Sequence, residues 1–193
     1  MDSAHFTGFI QQVLPMSPAR AEQVAKRFRP EMINRNEYLL KQGAVCNVSH
    51  FVASGILRSY AYDLNGNEVT TAFFTTNGYA TDLLSFFKRT PAKEYIQAIT
   101  DCQTWCISYE DMQASFHAVP EFREFGRLNI VQQYSLLKER MLSNLQEPAE
   151  KRYADLIQAH PEILQQVPLK YIASYLGIAD TSLSRIRKEY SKK

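Results

Sequence analysis

The sequence predicts an α+β protein: an antiparallel β jelly roll (a double-stranded β-helix), one long helix, and a small all-helical domain built on a helix-turn-helix. Three observations carry that expectation. Gly43, Gly55, Gly66 and Gly78 stand eleven or twelve residues apart, between short runs rich in Tyr, Phe, Val and Thr. The segment PEFREFGRLNIVQQYSLLKERMLSNLQ repeats apolar residues at helical spacing from Phe122 to Leu145. In VPLKYIASYLGIADTSLSRIRKEYSKK, Ile172, Leu176, Ile178, Leu183 and Ile186 are apolar where two crossing helices bury their facing sides. Ala173 is small at the closest approach, and Gly177 occupies the reversal, where a positive φ is needed.

The elements follow in order. Phe6, Phe9, Ile10, Val13 and Leu14 recur at helical spacing, Pro15 interrupts, and Ser17-Pro18 opens a second helix running to Phe28 with the serine as cap. Residues 31–110 read as antiparallel strands, most clearly the hairpin RSYAYDLNGNEVTTAFF turning at Asn65-Gly66. KEYIQAIT and QTWCISYE form a later strand pair about Asp101. Between the hairpin and that pair, YATDLLSFFKRTPAK breaks the alternation and reads as a short helix and loop, a position that lines a barrel mouth or a ligand pocket. Residues 111–147 return to helix, a short one after Tyr109 and the long one from Pro120. The long helix carries too many apolar residues for one stripe, so one face is expected on the barrel and the other on a dimer seam; packing wholly within one chain is the alternative. Gln146-Glu147-Pro148 is the expected hinge, and PAEKRYADLIQAH a last helix before the helix-turn-helix. The expected domains are 1–119 (helices and jelly roll), 120–147 (dimerisation helix) and 148–193 (helix-turn-helix).

Composition narrows the function classes. Net charge is only +2, so nothing pulls the whole chain toward polyanions. Residues 148–193 nevertheless hold eight Lys and Arg against five Asp and Glu, and from Thr181 onward the count is five against one. That terminal bias is the footprint of phosphate contacts. Cys46, Cys102 and Cys106 make no zinc-type spacing; Cys102 and Cys106 share one face of a strand about 13 Å apart, too far for a disulfide. Buried free thiols, no membrane-length apolar run and no leader-like N-terminus imply a cytoplasmic protein. His5, His50, His117 and His160 are isolated, and only His50 falls in the barrel, against the three histidines and a carboxylate of a jelly-roll metalloenzyme. No Ser-His-Asp or paired-carboxylate arrangement stands out. Neither a metal site nor an enzyme is expected.

The second terminal helix sets Thr181, Ser182, Ser184, Arg185 and Lys188 opposite its apolar stripe, a small-polar and cationic face that suits the major groove. Thr181 and Ser184 face the bases, and Arg185 is the candidate for bidentate contact to guanine. Lys170 and Tyr171 on the first helix are candidate phosphate contacts. Arg187, Lys188, Lys192 and Lys193 meet phosphates or solvent. With alanine at position 179, Asp180 is expected to cap the helix, starting it one residue late. Within the barrel, Phe73, Phe74, Tyr79, Phe86, Phe87, Tyr95 and Trp105 make either an ordinary core or a pocket for an aromatic or apolar ligand. Phe73, Tyr79, Asp82, Leu83 and Tyr95 are the effector-pocket candidates.

Through LLKQGAVCNVSHFVASGILRSYAYDLNGNEVTTAFF, ISYEDM and VPLKYIASYLGIADTSLSRIRK, and the order of its elements, nearly the whole chain resembles the Crp/Fnr family of bacterial transcription regulators. It is most similar in character to the short Bacteroidetes-type members. The resemblance implies a homodimer along the long helix, recognition helices in successive major grooves of double-stranded DNA, and RNA polymerase as a further partner. Cyclic-nucleotide-binding members carry a Gly-Glu-Leu segment and then an Arg-Ser or Arg-Thr pair. Here Ala80-Thr81-Asp82-Leu83-Leu84 and Ala92-Lys93 stand in those places, with Arg89 out of register. Cyclic AMP is therefore not expected as effector; no cofactor is expected, and another small-molecule effector stays open. The iron–sulfur members' N-terminal cysteine cluster is missing, and a C-terminal wing is not expected. Two readings remain: a homodimeric regulator, and a ligand-binding or protein-interaction module whose truncated terminal domain no longer reads DNA.

Overall fold

The computed structural model describes residues 3–190. Helices α1 (Ser3–Val13) and α2 (Pro18–Ala25) precede strands β1 (Arg29–Ile33), β2 (Tyr38–Leu40), β3 (Val48–Ser54), β4 (Leu57–Tyr62), β5 (Glu68–Phe74) and β6 (Tyr79–Ala80). Helix α3 (Leu83–Lys88), β7 (Tyr95–Ala98) and β8 (Cys102–Ser108) complete the barrel. Then come α4 (Tyr109–Ala118), α5 (Pro120–Gln146), α6 (Ala149–Ala159), α7 (Pro161–Gln166), α8 (Leu169–Leu176) and α9 (Asp180–Tyr190). Two four-stranded antiparallel sheets, ordered β1-β8-β3-β6 and β2-β7-β4-β5, form the expected α+β jelly roll.

Alternation along the strands sorts side chains into three cores. Between the sheets, Ile33, Val52, Leu57, Ile96, Ala98 and Cys102 pack with Phe86 of α3. On the outer face of the first sheet, Phe51, Trp105 and Ile107 are covered by Phe6 and Ile10 of α1 and by Phe122 and Phe125 of α5. The third core belongs to α6–α9 and takes in Ile56 and Ile99 of the barrel. Trp105 and Tyr79 thus lie outside the jelly roll, under α1, and not within it as the aromatic run suggests.

The hairpin at Asn65-Gly66 forms as expected. Asp63 Oδ1 accepts from the amides of Asn65 and Asn67 at 2.8 Å, and Gly66 takes φ +82°. Its ladder skips Thr71: Ser59 pairs with Ala72 but Tyr60 with Thr70. This bulge frees the Thr71 carbonyl from the sheet. The expected pairing of KEYIQAIT with QTWCISYE does not occur, because β7 and β8 belong to different sheets. Between them the chain turns a jelly-roll corner pinned to the one after β3: Ile56 donates to Thr100 Oγ1 at 2.9 Å, and Ile99 donates back to the Ile56 carbonyl at 2.8 Å.

At the N-terminus α2 stops at Ala25, short of Phe28. Ser17 sits at its cap position, but the bonds from Arg20 and Ala21 go to the Ser17 carbonyl, and its hydroxyl makes no cap bond. The three cysteines are buried and unpaired, and desolvation pushes all three thiols up, Cys106 to about 11. Among the described residues no helix is long and apolar enough to cross a membrane. Residues 149–190 are helices and short connections with no strand among them.

Candidate nucleic-acid interface and effector pocket

Helix α8 ends on Gly177 at φ +67°, where the amides of Gly177 and Ile178 close back onto the carbonyls of Ser174 and Ala173. The chain then reverses into α9, burying Leu183 and Ile186 on Ile172, Ala173 and Leu176. Thr181, Ser184, Arg185 and Lys188 consequently face outward and are exposed, while Ser182 is half-buried. The Arg185 side chain is 66% exposed, and its pair with Glu150 at 3.8 Å is solvated and of little strength, which leaves the guanidinium available. Ser184 Oγ donates to the Asp180 carbonyl at 2.9 Å. The start of α9 departs from expectation. Asp180 is its first residue, and the carbonyl of Ala179 accepts the first helical bond, from Leu183 at 3.1 Å. Ala179 therefore fills the cap position, and Asp180 complements the helix dipole from within the first turn. Lys192 and Lys193 lie outside the described residues.

Tyr171 is half-buried. It turns back to the barrel, its ring centroid 3.5 Å from the guanidinium carbon of Arg58, whose other side lies 4.1 Å from the ring of Tyr60. Lys170 stays exposed, with Nζ 4.9 Å above the Tyr171 ring. Arg58, 1% exposed, is the centre of this contact: Nη2 donates to Glu68 at 2.6 Å and to Gln97 at 3.3 Å. Its Nε and Nη1 have no hydrogen-bond partner among the described residues. The two aromatic faces stand in their place.

Around Arg58 the helix-turn-helix is fastened to the barrel. β5 is the free edge of its sheet, and Ser174 of α8 closes that edge: its hydroxyl accepts from the Thr70 amide at 2.8 Å and donates to the Glu68 carbonyl at 3.1 Å. Arg140 of α5 donates to the carbonyl freed at the Thr71 bulge and lies 3.9 Å over the ring of Tyr175. Phe73 packs on Tyr175 at 5.0 Å, and Thr75 Oγ1 meets His160 Nδ1 at 3.1 Å. Arg152 Nη atoms donate to the carbonyls of Glu147 and Leu176 at 2.7 and 2.8 Å, binding the α5–α6 connection to the end of α8. None of these residues has a local spacing that singles it out. Their only signal is arginine and tyrosine recurring on one face of a strand, at Arg58, Tyr60 and Tyr62.

The five effector-pocket candidates fall on different faces. Phe73 serves the terminal domain. Tyr95 stacks on Tyr60, 5.0 Å between centroids, on the outer face of the second sheet, away from the barrel interior. Tyr79 and Leu83 do meet, lining a cavity of about 60 Å³ beneath α5 with Phe86, Phe125 and Asn129. Asp82 caps α3, accepting from the Ser85 amide at 3.0 Å, and so is committed locally. Ala92 is buried, and its amide and carbonyl pair with Ala44 and Gly43 at 2.8 and 2.9 Å. Lys93 faces solvent. Arg89 folds onto Tyr109 and donates to the Cys46 carbonyl and to Asn47. These residues do not fit a cyclic nucleotide, since neither a phosphate clamp nor a free carboxylate is presented.

Residues 30–118 match the family of the cyclic nucleotide-binding domain. Solved structures with the same fold include FixK2 from Bradyrhizobium japonicum, 15% identical over 86% of this chain and 85% of that one, with TM-score 0.71. A candidate Crp/Fnr-family transcriptional regulator from Eubacterium rectale is 16% identical over 93% and 88% of the two chains, with TM-score 0.68. The catabolite activator protein of Thermus thermophilus is 18% identical over 95% and 87%, with TM-score 0.56. At these identities the likeness is one of fold. No curated protein sequence matches the chain.

Proposed function

With residues 30–118 a member of the cyclic nucleotide-binding domain family, in a chain folded as the Crp/Fnr regulators are, we propose that this protein is a homodimeric, sequence-specific DNA-binding transcriptional regulator whose effector is not cyclic AMP. The observation that carries the reading is the outer face of α9, where Thr181, Ser184 and Arg185 stand exposed on a helix fixed from behind by Leu183 and Ile186. A recognition helix needs that combination: rigid seating and a short polar face with one long fork-shaped donor. RNA polymerase is the further partner of this reading, and no catalytic step belongs to it.

Selection from a randomised duplex pool tests it. The wild type is expected to recover a two-fold-related site with half-sites about one helical turn apart. Arg185→Ala should lose about 1–3 kcal/mol of discrimination at one base pair while keeping salt-sensitive nonspecific binding. Identical preferences in wild type and variant would remove Arg185 from base reading.

Dimerisation rests on α5. Ile130, Tyr134, Leu137, Met141 and Leu145 form an exposed apolar stripe at seam spacing, with Tyr134 67% and Leu145 73% exposed. Leu137→Glu, present in both copies, removes two apolar contacts and adds facing charges, so the dimer dissociation constant should rise by about a hundredfold or more. Sedimentation equilibrium reads this directly; an unchanged constant would place the dimer elsewhere. The reading as a binding module that no longer meets DNA draws on one observation, the commitment of Tyr171 to Arg58. It predicts no enriched sequence with or without cell extract.

A further inference from the structure

Three side chains of metal-binding chemistry meet inside the jelly roll, on the face of the first sheet that looks toward the second. Cys106 of β8 pairs across the ladder with His50 of β3 on one side and with Arg29 of β1 on the other. Glu31 follows on the same face of β1, two residues along. The Cys106 sulfur, a ring nitrogen of His50 and a carboxylate oxygen of Glu31 all lie within 4.8 Å of one another. His50 Nε2 is 3.2 Å from Glu31 Oε2. His50 and Cys106 are buried, while the Glu31 side chain, 42% exposed, reaches a cavity of about 410 Å³ that Arg29, Cys46 and Val48 also line.

The donor set is specific. Thiolate, imidazole and carboxylate together suit a borderline-soft divalent ion, whereas a hard ion takes oxygen alone. The distances suit it too. An ion central to a triangle with sides no longer than 4.8 Å lies at most about 2.8 Å from each corner. Side-chain adjustments of under an ångström then reach the zinc distances of about 2.0–2.3 Å. Three paired strands hold the donors, so little ordering is left to do. Charge nearly closes as well: a divalent ion, one thiolate, one carboxylate and a neutral imidazole sum to zero, and the one further charge beside them, Arg29, is exposed to water. The thiol proton leaves to the cavity water as the metal enters. Arg29 Nε, 3.2 Å from the sulfur, donates to it and favours the thiolate.

We propose that Glu31, His50 and Cys106 bind one zinc-class divalent cation, with its fourth coordination position open to the cavity beside β1 and β3. The site stands independently of DNA reading. It escapes sequence inspection because its members come from positions 31, 50 and 106, with no ligand spacing among them.

Cobalt(II) is the probe. The full chain, stripped of metal, is titrated with Co²⁺ and then with Zn²⁺. The expected result is a thiolate-to-cobalt charge-transfer band that saturates at one ion per chain and is bleached by zinc. Cys46→Ala and Cys102→Ala should leave the band in place, and Cys106→Ser should abolish it while near-ultraviolet circular dichroism stays native. Should the buried Cys106→Ser variant unfold, Glu31→Gln at the cavity rim decides alone, with an expected loss of cobalt affinity of about a hundredfold or more, beyond the range for merely supporting residues. No charge-transfer band in the wild type, a band that survives Cys106→Ser, or wild-type affinity in Glu31→Gln would each overturn the proposal.

Discussion

Replacing Arg58 with alanine is expected to lower the stability of the folded chain by about 3 kcal/mol, because it strips a buried ion pair of one partner and empties the slot between two aromatic rings. The guanidinium is 1% exposed, bonds Glu68 at 2.6 Å, and lies between Tyr60 and Tyr171. Glu68 keeps partial access to water, which holds the loss below that of a fully buried pair. The loss should not be spread evenly. Tyr171 belongs to α8, so the variant loosens the terminal domain first, and protease cleavage near Glu147-Pro148 should accelerate before the barrel melts. Urea melting combined with timed proteolysis reads both effects. A loss under about 1 kcal/mol, with hinge cleavage unchanged, would show that Arg58 does not hold the two parts together.

Gly55→Ala should be at least as damaging, for a different reason. Gly55 sits at φ +97° in the corner between β3 and β4. A Cβ there would stand 2.5 Å from the Asp101 carbonyl oxygen, 2.6 Å from Cys102 Sγ and 2.8 Å from Cys102 Cα. Two of those three atoms are backbone and cannot rotate away. Together with the conformational penalty, a loss of about 3 kcal/mol or more is expected, with the pinned corners between Ile56 and Thr100 opening together. Gly43→Ala is the control, since φ there is +88° but no atom lies within 4 Å. It isolates the conformational part of the cost, on the order of 1 kcal/mol. Equal losses in the two variants would exclude steric contact as the cause.

Local patterns were legible in the sequence and long-range ones were not. Asn65-Gly66, Pro18, Pro120 and Gly177 each mark an element end through backbone chemistry confined to a few residues, and the hairpin, the long helix and the terminal turn stand where these signals put them. At the jelly-roll corner of Thr100-Asp101 the sequence suggests a strand pair, but the two strands join different sheets. A turn signal says that the chain reverses, not which sheet it rejoins. Phe73 and Tyr95 were assigned to the barrel interior because aromatic residues in strands ordinarily pack there. On β5 the extra residue at Thr71 shifts the alternation, and on the outer face of the second sheet Tyr95 packs in a cluster with Tyr38, Tyr60 and Tyr62. The exposed face of α9 was readable because helical periodicity fixes which side chains point away from Leu183 and Ile186. Tyr171 fits the same periodicity equally well; only its distant partner Arg58 decides where it points.

The bond from Arg140 to Thr71 sets a mechanical length scale for α5. Leu137 and Met141, both on the exposed apolar stripe, stand three residues before Arg140 and one after it, within a turn or so of helix. A displacement imposed at the stripe therefore has almost no helix over which to dissipate before it reaches the fastening of α8. Sliding α5 along its own axis by one residue carries the Arg140 side chain about 1.5 Å, more than a hydrogen bond stretches without breaking. The bond thus ties the axial register of α5 to the barrel, and a shift of the helix must break it or re-extend the Arg140 side chain across the Tyr175 ring. A change imposed at the stripe therefore meets the Arg140–Thr71 bond and the Tyr175 ring of α8 before any other part of the terminal domain.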